Sequence, residues 1–296
     1  MFFPAQNGIL KPILRKDREK SAMDDREKNN SIELSADTAR MLRNVGSAMR
    51  EALNGSMAAA ELLGRRLEQE GRESERDYLA VMRHDQHRLL RIAENLTELG
   101  ELTLGEARAE QSVQDLNQIC GELVDTISAL TDRVRLEFTP CRESCGVNGS
   151  RDRLEALILN VLAYSLQRCG EGGVIRLRTE SRKEAVCLYL QDNGAGPEGE
   201  TISTLYSALE NDPVRGITQG GAGLGLLVAE EIARLYGGSL LLSADGKKGM
   251  EAILTLPHGQ TSLLRLPASQ YGGRLRGILT ILSEELGRDK YMAPYL

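Results

Sequence analysis

From Ser35 the chain sets apolar residues three and four positions apart: Met41, Leu42, Val45, Met49, Leu53, Met57, Ala60 and Leu63. That spacing predicts an amphipathic helix, with Ser35 and Asp37 as cap candidates and an end near Gly71. A second stripe, Leu79, Met82, Leu89, Leu90, Ile92, Leu96 and Leu99, predicts another helix from about Glu75 to Leu102. Two long helices joined by a short polar turn make a hairpin. A lone hairpin leaves much of its apolar stripe in water, so two copies are expected to pair into a four-helix bundle.

Residues 104–115 are polar, and the period then changes. Helices are predicted at 116–130 and 152–168, and strands at 134–139 and 174–179. Val186, Leu188 and Leu190 alternate in a strand that runs into Asp192. Leu226 to Tyr236 reads as a helix stopped by Gly237 and Gly238, with strands at 239–243 and 250–256 behind it. Helices mixed with a sheet make this a separate α/β domain. Beyond it lies one short amphipathic helix (Leu275, Ile278, Leu279, Ile281, Leu282, Leu286). With Tyr271-Gly272-Gly273-Arg274 before it, that segment reads either as an element that docks on the α/β domain or as a packing extension. The expected division is a charged, flexible lead-in at 1–34, the hairpin at 35–103, the α/β domain at 113–257 and an extension at 258–296.

Composition narrows the partners. With no Trp and only 3 Phe, the cores must be built from Leu, Ile, Val and Ala. The net charge of −6 argues against nucleic acid, which needs a basic face. No apolar run approaches the roughly 18 residues of a membrane helix. The start, Met1-Phe2-Phe3-Pro4-Ala5, lacks the charged-then-apolar layout of a signal peptide, so the expected location is cytoplasmic without a direct membrane span. The cysteines, at 120, 141, 145, 169 and 187, are odd in number and scattered, which suits reduced thiols. Cys141 and Cys145 would make half a metal site at most, and the chain has only 3 His to complete one.

Two glycine boxes carry the chemistry. Asp192-Asn193-Gly194-Ala195-Gly196 closes a strand, and Gly220-Gly221-Ala222-Gly223-Leu224-Gly225-Leu226 opens a helix. Glycines let backbone come close to a ligand, and a helix start offers free N–H groups and a positive dipole end to phosphate. A dinucleotide fingerprint needs Gly-x-Gly-x-x-Gly directly after a strand. Here the spacing is Gly-x-Gly-x-Gly, and the preceding Asn211-Asp212-Pro213-Val214-Arg215 is a loop.

Taken in order, these parts resemble a sensor histidine kinase of the GHKL ATPase superfamily. The resemblance covers the hairpin and residues 113–257, about three quarters of the chain. It implies an α+β protein: a long helical hairpin, a four-helix bundle in the dimer, then an α/β sandwich ATP-binding domain of the GHKL (Bergerat) type. It also implies ATP or ADP as ligand. Asp192 would accept a hydrogen bond from the adenine amino group, with Gly194 and Gly196 letting the chain pass the base. Amides around Gly221, Gly223 and Gly225 would cradle phosphate, with Leu224 in the same box and, like Leu226, packing into the core. Asn160 would hold the first of two Asn positions on the 152–168 helix, and residues 197–219 would form a lid.

The chain departs from that pattern at three places. Ser47 stands where the phosphoacceptor His belongs, and Ala48 where its acidic neighbour belongs. A serine with no adjacent base is a weak nucleophile, so autophosphorylation there is not expected. Tyr164 replaces the second Asn, the Mg²⁺ ligand, and a phenol is a poor substitute, so Mg²⁺ binding is expected to be weakened. The usual Phe-bearing lid motif is not evident in Thr201-Ile202-Ser203-Thr204-Leu205-Tyr206.

His84, followed by Asp85, is a weak alternative acceptor, although His84 and His87 read as residues of an exposed helix face. The expected function is therefore a degenerate, nucleotide-binding signalling or scaffold module. It would dimerise through 35–103 and dock a response regulator or another histidine kinase. The alternative is an active kinase that uses His84 or phosphorylates in trans.

Overall fold

The computed structural model describes residues 34–109, 112–195, 202–213, 221–244, 249–259 and 271–292. The charged lead-in up to residue 33 and Gly196 lie outside these. The two predicted helices form. Helix α1 (Ala36–Gln69) opens where Ser35 is extended and its hydroxyl accepts the Thr38 N–H at 3.2 Å. Helix α2 (Glu73–Thr103) returns antiparallel after a turn through Gly71. Ala39, Leu42, Ala60 and Leu67 of α1 are buried, as are Leu79, Leu90, Ala93, Leu96 and Leu99 of α2. Each buried leucine contributes about 1.5–3 kcal/mol. The stripe is wider than the contact: Met41, Val45, Leu62, Leu63, Met82 and Leu89 stay exposed.

The second half is a two-layer sandwich. A five-stranded sheet has the order β2 (Val134–Thr139), β4 (Gly173–Ser181), β5 (Ala185–Asp192), β7 (Met250–Pro257), β6 (Ser239–Ala244). The β2–β4 pair is parallel and the others antiparallel. Alternation decides the faces. Ile175, Leu177, Val186, Leu188, Leu190, Ala252 and Leu254 are buried, while Arg176, Arg178 and Arg182 face solvent. Helices α3 (Leu116–Leu130), α4 (Arg151–Arg168) and α6 (Gly221–Leu235) supply the second layer. A separate short antiparallel ribbon pairs β1 (Val113–Asp115) with β3 (Gly146–Asn148), two elements the sequence pattern did not suggest.

The hairpin and the sandwich touch directly. Helix α2 packs on α6, and Arg153 of α4 reaches Glu98 of α2 at 3.0 Å. The extension also joins them. Helix α7 (Tyr271–Ile281) and a 3₁₀ turn (Arg288–Tyr291) lie along α2, while Arg274 forms ion pairs with Glu122 of α3 and Glu155 of α4. Among the described residues no helix is long and apolar enough to cross a membrane.

Candidate functional site

The site begins where β5 ends. Asp192 is 6% exposed, and its Oδ1 accepts the amides of Gly194 at 3.0 Å and Met250 at 3.1 Å. Its Oδ2 is buried and has no partner among the described residues. A buried carboxylate oxygen left without a donor is costly. The position therefore fits a donor that the described residues do not supply, and an exocyclic amino group of a base has that chemistry. Gly249 holds φ at +98°, which brings β7 in over the Asp192 carbonyl where a Cβ would clash. Asn193 Oδ1 accepts the Val174 N–H at 2.8 Å, and Ala195 caps the end of α4 through the Arg168 carbonyl at 3.2 Å. Asp192 and its turn are thus fixed from three sides.

The second glycine box differs from expectation. Helix α6 starts at Gly221, five residues ahead of the predicted start, so the box forms its first turn instead of a loop before it. Its leading amides are the ones a helix leaves without intrahelical acceptors. Gly223 faces Leu205, and Leu224 and Leu226 are buried as expected. Gly225 has a separate reason: it lies against Asn160 of α4, where a Cβ would come within 3.0 Å of Asn160 Cγ. Asn160 is 1% exposed, and its Oδ1 is buried without a partner among the described residues. One turn on, Tyr164 is also buried, with the Arg168 guanidinium 5.3 Å from its ring centroid. Among the described residues no three His, Cys, Asp or Glu are placed to hold a metal ion.

Of the expected lid, residues 202–213 are described, and Ile202–Asn211 forms helix α5. In place of a Phe, Tyr206 anchors it. Tyr206 is buried, its hydroxyl donates to Glu231 of α6, and Arg234 lies 5.8 Å from its ring centroid. Burial, with the Glu231 charge, pushes the phenol well above its usual pKa. A pairing across this sequence distance leaves no local signal in the sequence.

Ser47 is half-buried on α1, and Ala48 and Arg50 are exposed. The histidines correct the expectation of an exposed face. His87 is 2% exposed, its Nδ1 lies 2.8 Å from Thr280 Oγ1, and Tyr291 packs 5.1 Å from the His84 ring and 5.2 Å from that of His87. Desolvation, reinforced by the Arg276 charge, lowers the His87 pKa to about 4. A cavity of about 230 Å³ beside it is lined by Asn54, Met57, Ala58, Glu61, His87 and Arg276. Further along, buried Arg91 meets buried Glu285 at 3.3 Å. The extension docks on the hairpin as well as on the α/β domain, and the helical period alone did not indicate this.

Residues 149–260 match the family described as Histidine kinase-, DNA gyrase B-, and HSP90-like ATPase. The chain is 30% identical over 203 residues to Sensor protein ChvG of Rhizobium meliloti, covering 63% of this chain and 35% of that protein. It is 25% identical over 229 residues to Sporulation kinase D of Bacillus subtilis, covering 76% of this chain and 41% of that protein. It thus spans well under half the length of these curated relatives. Full-length ShkA, solved in complex with AMPPNP, shares the fold with a TM-score of 0.58 at 18% identity, over 75% of this chain and 46% of that one. Fold and site together define an ATP-binding domain of the GHKL class behind a helical hairpin. Residues 149–260 thus form a histidine kinase-, DNA gyrase B- and HSP90-like ATPase domain, and the likeness to these sensor proteins and kinases extends beyond that domain.

Proposed function

We propose that this chain is a nucleotide-binding module of two-component signalling in which base recognition persists and phosphotransfer to its own hairpin has been lost. The observation that carries the first half is the buried Oδ2 of Asp192, which has no partner among the described residues and suits an adenine amino donor, while Oδ1 is held by two backbone amides. Asn160, Gly194, Gly196, Gly221, Gly223, Leu224 and Gly225 belong to the same site in this reading, with the α6 amides toward phosphate. Tyr164 supplies a ring where a Mg²⁺-binding amide would stand, so Mg²⁺ contributes less than in an intact kinase. The second half rests on Ser47, which has Ala48 and no carboxylate after it. His84 and His87 lie beneath Tyr291 and Thr280, a poor place for an acceptor that must meet a γ-phosphate. The exposed apolar residues of α1 and α2 support a homodimer through 35–103, which would dock a response regulator or another histidine kinase in the cytoplasm.

The test is incubation with γ-labelled ATP and Mg²⁺ beside a Ser47→His variant, together with a fluorescent ATP analogue to read binding. Analogue binding without label on the natural chain is the expected result. Acid-labile label on the natural chain would overturn the loss of transfer. Absence of analogue binding would overturn the nucleotide site.

A further inference from the structure

The loop between β2 and β3 brings two thiols together. Cys141 N–H donates to Thr179 Oγ1 at 2.8 Å and to Asn117 Oδ1 at 3.3 Å, and its carbonyl accepts from Asn117 Nδ2 at 3.1 Å. At the other end of the loop, the Cys145 carbonyl accepts the Leu116 N–H at 3.0 Å. Both ends are therefore pinned to neighbouring residues in the first turn of α3, and the loop folds back on itself. The side chains follow. Cys145 Sγ sits 3.8 Å from the Glu143 carbonyl, and the Cys141 sulfur is near enough to add to the rise in its pKa. Cys141 is partly open to solvent and Cys145 is fully buried.

We propose that Cys141 and Cys145 form a reversible thiol–disulfide switch, with Cys141 as the attacking sulfur and Cys145 as the resolving one. A hydroperoxide is the oxidant. Cys141 thiolate attacks one peroxide oxygen, the O–O bond breaks, and a sulfenic acid and hydroxide (or alkoxide) result. The Cys145 sulfur then displaces the sulfenic oxygen. An S–S bond forms, and the departing oxygen, taking the thiol proton, leaves as water. Both sulfurs are oxidised and the peroxide is reduced, so the electrons balance.

The surroundings suit these roles. Backbone N–H groups of Glu143 and Ser181 donate to the Cys141 sulfur and hold its pKa below that of an ordinary thiol. Burial pushes Cys145 up to about 11, so it waits as a thiol. The loop leads through β3 to Ser150, the cap of α4, so the switch stands one element away from the helix that carries Asn160.

Trypsin can read the link directly, because Arg142 lies between the two cysteines. The full chain is treated with hydrogen peroxide, blocked with N-ethylmaleimide and digested. A disulfide joins peptides 136–142 and 143–151, two hydrogens lighter than the reduced pair, and dithiothreitol separates them. In the untreated protein iodoacetamide is expected to label Cys141 about tenfold faster than Cys120, Cys169 or Cys187. Cys145→Ser is expected to trap Cys141 as a sulfenic acid that dimedone captures. A link between Cys145 and the nearby Cys120, overoxidation of Cys141 with no linked pair, or equal labelling of all the thiols would each overturn the proposal. The alkylation arm needs no variant, so a misfolded mutant does not leave the question open.

Discussion

Asn160 and Gly225 meet across the α4–α6 contact with no room for another atom: a Cβ at 225 would lie within 3.0 Å of Asn160 Cγ and closer still to its Oδ1. Asn160 cannot swing away freely, because it is 1% exposed inside a packed helix pair. Gly225→Ala should therefore displace the Asn160 amide or part the helices, at a cost of about 1–3 kcal/mol. A urea titration reads that cost. A midpoint equal to that of the natural chain would show that the contact is not tight.

Asp192→Asn separates binding from folding. Oδ1 would still accept from Gly194 and Met250, so the turn survives. The other position would carry an amide N–H₂ where the unpartnered oxygen stands, and two donors would face each other. Adenine nucleotide affinity should fall about 10- to 100-fold, the equivalent of one hydrogen bond turned into a repulsion. The urea midpoint should stay close to that of the natural chain. Titration with a fluorescent ATP analogue checks this, and unchanged affinity would remove Asp192 from the site.

Much of this was legible in the chain. The hairpin, the α3 and α4 helices and the strand ending in Asp192 follow from local period, because an element that buries one face must repeat with its own geometry. The start of α6 was missed because glycines argue against helix, and here close packing on Asn160 and Leu205 overrides that propensity. β3 is three residues long, too short to show a period. The placement of His87 beneath Thr280 depends on a contact 193 residues apart. Nothing near position 87 distinguishes a histidine on a wet helix face from one that a distant segment will cover.

Tyr206→Phe tests what holds the lid helix. The phenol donates to Glu231, and without it the carboxylate keeps Arg234 at 3.3 Å. A lost hydrogen bond to a charged group in a partly buried place costs about 1.5–3 kcal/mol. The loss should appear locally, as faster amide exchange across 202–213 with α4 unchanged. Equal exchange in both proteins would show that apolar packing of Ile202, Tyr206 and Leu209 alone seats the helix.

The docking of the extension should be nearly flat with pH because two opposite dependences overlap. His87 has its pKa lowered from 6.5 to about 4 by burial, with Arg276 of α7 and His84 and Arg83 of its own helix adding to the effect. A depressed histidine stabilises the docked state fully above pH 6.5, and that contribution is lost as pH falls toward 4. Glu285 is raised from 4.5 to about 7 by burial, against the pull of Arg91 and with Glu284 adding to the rise. The docked state then binds the extra proton between pH 4.5 and 7, so stability falls as pH rises through that window. Each contribution amounts to about 3 kcal/mol at most, and the two run in opposite directions. His87→Gln should leave only the Glu285 dependence, so amide protection of 271–292 drops from pH 4.5 to 7. Glu285→Gln should leave only the His87 dependence, so protection rises from pH 4 to 6.5. Hydrogen exchange of the three proteins across that range checks both signs. Parallel profiles would mean that neither group changes its proton binding when the extension docks.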